Sequence, residues 1–139
     1  LAHKGVGDSA LVRAAEIANL GKFINRHPEG FDMMIGERGD SLSGGQRKCV
    51  ALARAIVGDP PILLMDEPTG SMDHSTETAV RKHLEEYIQG RTWLVVTHRN
   101  SLLSMVERII VVDNGRIVAD GPRDKVIEAL QQGRIGKAK

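Results

Sequence analysis

The chain has 139 residues, one domain's worth, enough to bury roughly two thirds of its unfolded surface. Its 19 basic and 18 acidic residues nearly cancel at a net charge of +1, so no long-range field draws it to nucleic acid or anionic lipid. The aromatic content of 3% argues against base stacking, the single Cys49 excludes an intrachain disulfide and fits a reducing compartment, and no apolar run reaches the about 18 residues of a membrane span.

The opening Leu1-Ala2-His3-Lys4 has neither an initiator Met nor a signal peptide's apolar core, and reads as a start inside a longer protein. Leu11, Ala14, Ala15 and Ala18 recur at helical spacing and predict a helix over 9–20, with Gly21 as its stop. A second short helix is expected over 21–27, ahead of Pro28-Glu29-Gly30, and residues 31–42 read as loop. Ser43 with Gln46 three residues on has the form of a capping box; Ala-rich periodicity carries that helix to Val57, where Gly58-Asp59-Pro60-Pro61 ends it. Ile62-Leu63-Leu64-Met65 is a continuous apolar run and reads as a strand buried on both faces. Asp73 or Ser75 can cap a helix to about Gln89, with Val80, Leu84, Tyr87 and Ile88 on one face and Gly90 past its end. Residues Thr92 to Thr97 predict a second buried strand, followed by a short helix over 100–105. Ile109–Val112, the turn Asn114-Gly115 and Ile117–Ala119 predict a hairpin. Pro122 suits the first position of a last helix over 122–132, and the tail 133–139 is basic and expected to be mobile. Alternating strands and helices give an α/β class with a mostly parallel sheet behind an all-helical first 60 residues. The small number of strands is a second reason to expect a longer parent domain.

Two constellations carry chemistry. Gly44 and Gly45 stand in the first turn of a predicted helix, where each costs about 1 kcal/mol relative to Ala. A bare helix start offers unpaired N–H groups, a positive dipole end and room for an anion. Asp66 and Glu67 end the first strand, and in open α/β sheets that edge is where ligands bind.

Leu42-Ser43-Gly44-Gly45-Gln46 resembles the signature motif of ABC-type ATPases, and Ile62 to Glu67 resembles the family's Walker B strand with its catalytic Glu. The resemblance extends over about residues 9–133 and implies part of a P-loop NTPase (ABC ATPase) fold. Residues 1–60 would be a helical subdomain with the signature; 61–139 would be the C-terminal half of the RecA-like core. It implies that Ser43, Gly44, Gly45 and Gln46 face the γ-phosphate of an ATP held mainly by a second, opposing ATPase domain. Asp66 would hold Mg²⁺ through water, since Mg²⁺ prefers oxygen ligands and keeps much of its hydration. Glu67 would orient and polarise the attacking water. His98, after Val95-Val96-Thr97, matches the family's switch His. Gly70-Ser71-Met72-Asp73 sits where the family carries its D-loop, with Gly70 replacing the usual first Ser; Asp73 can equally be a plain helix cap.

Ile35-Gly36-Glu37-Arg38-Gly39 is similar to the loop by which exporter ATPase domains contact their membrane domains, which assigns Glu37 and Arg38 to coupling. His27 to Asp32, Asp66-Glu67-Pro68-Thr69 and Asp120-Gly121-Pro122 look like type I secretion exporters of proteins or peptides, with lipid and drug exporters sharing most of these features. The implied parent is an ATP hydrolase at the cytoplasmic face of the bacterial inner membrane. Its partners would be a second ATPase domain, head to tail, and a transmembrane exporter domain, with no nucleic acid. No Gly-x-x-x-x-Gly-Lys-Ser/Thr phosphate loop occurs in the sequence, so the chain alone is expected to be inactive; separately, the fragment itself is expected to be soluble. The competing expectation is a non-enzymatic half-domain that docks on a partner.

Overall fold

The computed structural model describes residues 5–135. The expectations for residues 1–4, and for 136–139 of the basic tail, fall outside the described residues. The elements in order are α1 (Asp8–Ile17), α2 (Gly21–Arg26), 3₁₀ turns at Gly30–Asp32 and Glu37–Gly39, α3 (Gly44–Ile56), β1 (Ile62–Asp66), α4 (His74–Tyr87), β2 (Thr92–Val96), α5 (Asn100–Leu103), β3 (Arg108–Asp113), β4 (Arg116–Pro122) and α6 (Arg123–Gln131). They form two compact units, divided between Thr97 and His98.

In the first unit α1 packs on α3 and on α4 and buries Ala14 and Ala15. It ends earlier than its periodicity predicts because Asn19 turns left-handed at φ 57° and Leu20 N–H closes on Ala15 O, a turn that terminates a helix. On α4, Val80, Leu84 and Tyr87 repeat at helical spacing and are buried, as their face predicts. The Tyr87 hydroxyl lies 3.1 Å from Ile56 O and 3.2 Å from Asp59 Oδ1. Arg91 completes this knot, with Nη2 2.7 Å from Asp59 Oδ1 and its guanidinium 4.2 Å from the Tyr87 ring centroid. The ends of α3 and α4 and the approach to β2 are thereby tied together. The hydrogen bond from Arg91 holds the Asp59 carboxyl below its usual range, and burial beside that carboxylate pushes the Tyr87 hydroxyl up.

β1 and β2 pair in parallel, from Ile62 opposite Thr92 to Asp66 opposite Val96. Neither strand is buried on both faces, contrary to the reading of their apolar runs. Leu63 and Met65 are buried, while Ile62 and Leu64 are 60% and 72% exposed and Leu94 and Val96 are 55% and 61% exposed. The pleat sends alternate side chains to opposite faces, and only the face bearing Leu63 and Met65 is covered by described residues. An apolar run records what a strand can bury; a second covering layer has to come from elsewhere.

In the second unit β3 and β4 form the expected hairpin, turning at Asn114 (φ 47°) and Gly115 (φ 73°). A bulge falls between Val111 and Val112, and Arg108 grips Asp120 through two 2.7 Å hydrogen bonds. α6 follows Pro122, buries Val126 and packs on both strands. Arg123 N–H donates to Glu107 O at 2.9 Å, and its guanidinium reaches Ser104 O, the residue that ends the shortened α5.

Two substitutions separate core packing from the polar knot. Leu84→Ala, at a fully buried position, should cost about 2–5 kcal/mol. Tyr87→Phe should cost about 0.5–1.5 kcal/mol. Urea unfolding followed through the fluorescence of Trp93 on β2 checks both the size and the order.

Candidate functional site

The start of α3 is built by a reciprocal cap. Ser43 is extended (φ −63°, ψ 162°), its Oγ accepts from Gln46 N–H at 3.1 Å, and its own N–H donates to Gln46 Oε1 at 2.8 Å. Both side chains keep donors. The Ser43 hydroxyl retains its proton, and with Oε1 fixed as acceptor the Gln46 Nε2 keeps its two N–H groups. Arg47 N–H closes the first helical bond on Ser43 O, so the first-turn N–H groups of Gly44 and Gly45 are the ones without an intrahelical acceptor. Ser43 to Gln46 thus present hydrogen-bond donors at the positive end of a 13-residue helix, an arrangement that fits a phosphate.

The second half of the site lies at the end of the parallel pair. Asp66 is the last residue of β1 and is exposed. Glu67 keeps one ladder bond, N–H to Val96 O at 2.9 Å, then turns to φ 44°. A left-handed Glu is strained by about 1–3 kcal/mol, a cost that concentrates at functional positions. Its Oε2 accepts a hydrogen bond from the Thr97 hydroxyl at 3.2 Å. Pro68 and Thr69 behind it are buried. Gly70 N–H closes a turn on Glu67 O at 3.0 Å, and a Cβ on residue 70 would stand 3.2 Å from that same oxygen, which favours glycine over the Ser of the resembled loop.

Mg²⁺ commonly takes one or two protein carboxylates and fills its shell with water and phosphate. Exposed Asp66 at the strand end can supply such an oxygen. Among the described residues no group of three or more His, Cys, Asp or Glu could form a complete metal cage.

Asp73 caps α4. Its Oδ1 accepts from Ser75 Oγ at 2.5 Å and from Thr76 N–H at 3.0 Å, and Oδ2 from the Thr76 hydroxyl at 2.6 Å. The Ser75 hydroxyl, then Thr76, hold its carboxyl far below the usual carboxylate range. Glu37 and Arg38 are exposed on a tight turn, with Gly36 at φ 72° and Arg38 at φ 57°. Arg47 of α3 fastens that turn by donating from Nη1 to Leu42 O at 3.0 Å and Gly39 O at 3.4 Å. His98 is exposed and opens the second unit, one residue after Thr97.

Thr97 and Arg47 were not legible as site residues, and Ser71 only as a member of the Gly70-to-Asp73 loop. Thr97 could have been found by extending the β1–β2 register one step beyond Asp66 and Val96. The other two act through loop contacts that leave no periodic trace. His83 is half-buried, with its Nδ1 fully covered and without a hydrogen-bond partner.

Residues 11–70 match the family model described as ABC transporter, a span that includes the cap at Ser43 and the pair Asp66-Glu67. The chain belongs to the ATP-binding domains of ABC transporters. It is 45% identical over 118 residues to an ATP-dependent lipid A-core flippase of Alkalilimnicola ehrlichii, covering 85% of this chain and 20% of that protein. It is 43% identical over 130 residues to a β-(1→2)-glucan export ATP-binding/permease protein of Rhodopseudomonas palustris, covering 94% of this chain and 21% of that one. A solved bacterial Atm1-family ABC exporter with ATP bound superposes with a TM-score of 0.86 at 33% identity, over 95% of this chain and 24% of the other. The chain therefore spans about a fifth of the length of these relatives.

Two outcomes test this site's chemistry. Because the Asp73 carboxyl is depressed on folding, its contribution is complete above the unfolded value of about 3.9 and is lost only as pH falls through the lower folded value. Asp73→Ala should lower the thermal midpoint by several degrees at pH 7, and Asp73→Asn should keep most of the cap while removing its acid-range pH dependence; melts from pH 2 to 7 read both. Burial first, and the Asp73 charge second, push the Cys49 thiol up to about 11. Cys49 should therefore resist iodoacetamide at pH 8 in the folded chain and react on unfolding, as mass spectrometry would register.

Proposed function

We propose that this chain is the C-terminal part of the ATPase of an ABC exporter, residues 1–60 being its helical subdomain and 61–139 part of its catalytic core. The observation that carries the reading is the pairing, within one compact unit, of a donor-rich helix start with a strained Glu at the end of a parallel strand. A phosphate needs the first and a water to be activated needs the second.

In this reading two ATPase domains meet head to tail. Ser43, Gly44, Gly45 and Gln46 donate hydrogen bonds to the terminal phosphate held by the opposite domain. Asp66 supplies the oxygen that would hold Mg²⁺ through water, and the ion when bound neutralises developing phosphate charge. Glu67, oriented by the Thr97 hydroxyl, positions the attacking water and accepts its proton. His98 contacts the terminal phosphate, Asp73 orders the loop between the carboxylates and α4, and Glu37 and Arg38 meet the membrane domain. Among the described residues no helix is long and apolar enough to cross a membrane, so the spanning part would lie elsewhere in the same or a partner chain, with this domain on its cytoplasmic face.

For the cargo, the strings at 27–32, 66–69 and 120–122 favour protein or peptide export of the type I secretion kind. The relatives' names, a lipid A-core flippase and a glucan exporter, favour an amphiphilic lipid or a glycan, and we take that as the better supported cargo class.

In the full-length protein that carries this segment, Glu67→Gln should lower ATP turnover by about 10²-fold or more and leave ATP affinity within about threefold. Undiminished turnover would overturn the assigned role. In the same assay lipid A-core glycolipid should stimulate turnover more than a secretion-signal peptide, and residues 1–139 alone should release no phosphate.

A further inference from the structure

Lys48 stands one turn into α3, after Gly44 and Gly45, and at helical spacing it shares their face. A Cβ built on Gly70 would stand 3.6 Å from Glu67 Cβ and 3.9 Å from Lys48 Cε. The lysine stem and the glutamate therefore flank one bare residue, and those two carbons are closer together than the about 10 Å over which dilute salt screens charge. Lys48 is half-buried, and among the described residues its ammonium forms no ion pair. A lysine whose stem only covers apolar surface keeps its head in water. Here the stem ends beside a glycine, in the turn that follows the carboxylates Asp66 and Glu67. Two adjacent carboxylates at an edge that receives a phosphate repel it as well as each other, and a cation held at this distance counters both effects.

We propose that Lys48 is a positioning residue that acts through Glu67, a cation of the same chain that offsets the negative charge at the end of β1. The inference rests on the reading of Glu67 as the group that positions the attacking water. A positive charge beside Glu67 favours the ionised carboxylate, the form that can accept a proton from water, over the neutral acid. It also lowers the repulsion between that carboxylate and an incoming phosphate. Helical side chains lean toward the N-terminus of their helix, so Lys48 adds its charge to the end where Ser43 to Gln46 offer their donors. Gly70 suits this arrangement, because a side chain there would enter the space between the Lys48 stem and Glu67.

The test separates the charge of Lys48 from its stem. Lys48→Met keeps an apolar stem and removes the charge, and Lys48→Arg keeps the charge. On residues 1–139, carbon-13 NMR follows the side-chain carboxyls through a pH titration. Lys48→Met should move the Glu67 titration up by about half a pH unit, while Lys48→Arg leaves it in place. The Asp59 carboxyl, engaged by Arg91, should stay unmoved in both variants. An unmoved Glu67, or an equal movement at Asp59, overturns the proposal. In the full-length protein, Lys48→Met should move the acid limb of kcat to higher pH and lower kcat about 2- to 5-fold, with KM little changed. Lys48→Arg should retain about half of the wild-type kcat or more. A Met variant with the wild-type pH profile, or an Arg variant as impaired as Met, would mean that the charge is not what matters, and the proposal fails. Absence of ATP turnover in the wild type would sink the proposed function alone, since the carboxyl titration still decides whether Lys48 bears on Glu67.

Discussion

The parallel ladder between β1 and β2 is the constraint on which the site depends. Its last rung sets Asp66 opposite Val96, and Glu67 N–H adds one more bond to Val96 O before the backbone turns away. That rung brings the Thr97 hydroxyl to the Glu67 carboxylate. A slip of one residue would exchange the two faces of β1 and bury Ile62 and Leu64 in place of Leu63 and Met65. The buried pair therefore specifies the register, and the register places the carboxylates at one end of the sheet.

The helix start is held by different physics. Its geometry comes from a local cap between Ser43 and Gln46, reinforced by Arg47 reaching back to Leu42 O and Gly39 O. One short stretch of chain thus carries an exposed turn at Glu37 and Arg38, a cap and a donor-rich first turn. On its other side, a Cβ at residue 45 would stand 3.1 Å from Ser71 O. Strained left-handed residues at Glu67 and Ser71 bracket the loop between the carboxylates and the helix start. Strain of this kind persists only where surrounding packing over-determines the backbone, which here is supplied by buried Pro68, Thr69 and Met72.

Local chemistry was legible without coordinates. The capping box, the Asn114-Gly115 hairpin, the buried stripe Val80, Leu84 and Tyr87, and the Asp73 cap are each encoded within a few residues, because the interacting groups are neighbours along the chain. The signature and the Asp66-Glu67 pair were legible for the same reason. Two roles offered for Asp73, cap and loop residue, are compatible: its carboxylate is engaged by Ser75 and Thr76 while the backbone before it carries Ser71.

What the amino-acid order determined by itself is thus the set of short-range devices: caps, turns, helical faces and the string that marks the family. Only the tertiary structure decided which strand face is covered, that Thr97 serves Glu67, that Arg91 and Asp59 close around Tyr87, and that Gly45 is matched to Ser71. The physical reason is separation along the chain. A contact between residues tens of positions apart is selected by the packing of whole elements, and no period or motif in either segment records its partner. The same holds for the apolar face of Ile62, Leu64, Leu94 and Val96: its residues announce a capacity for burial, and only packing shows that the described chain leaves it open.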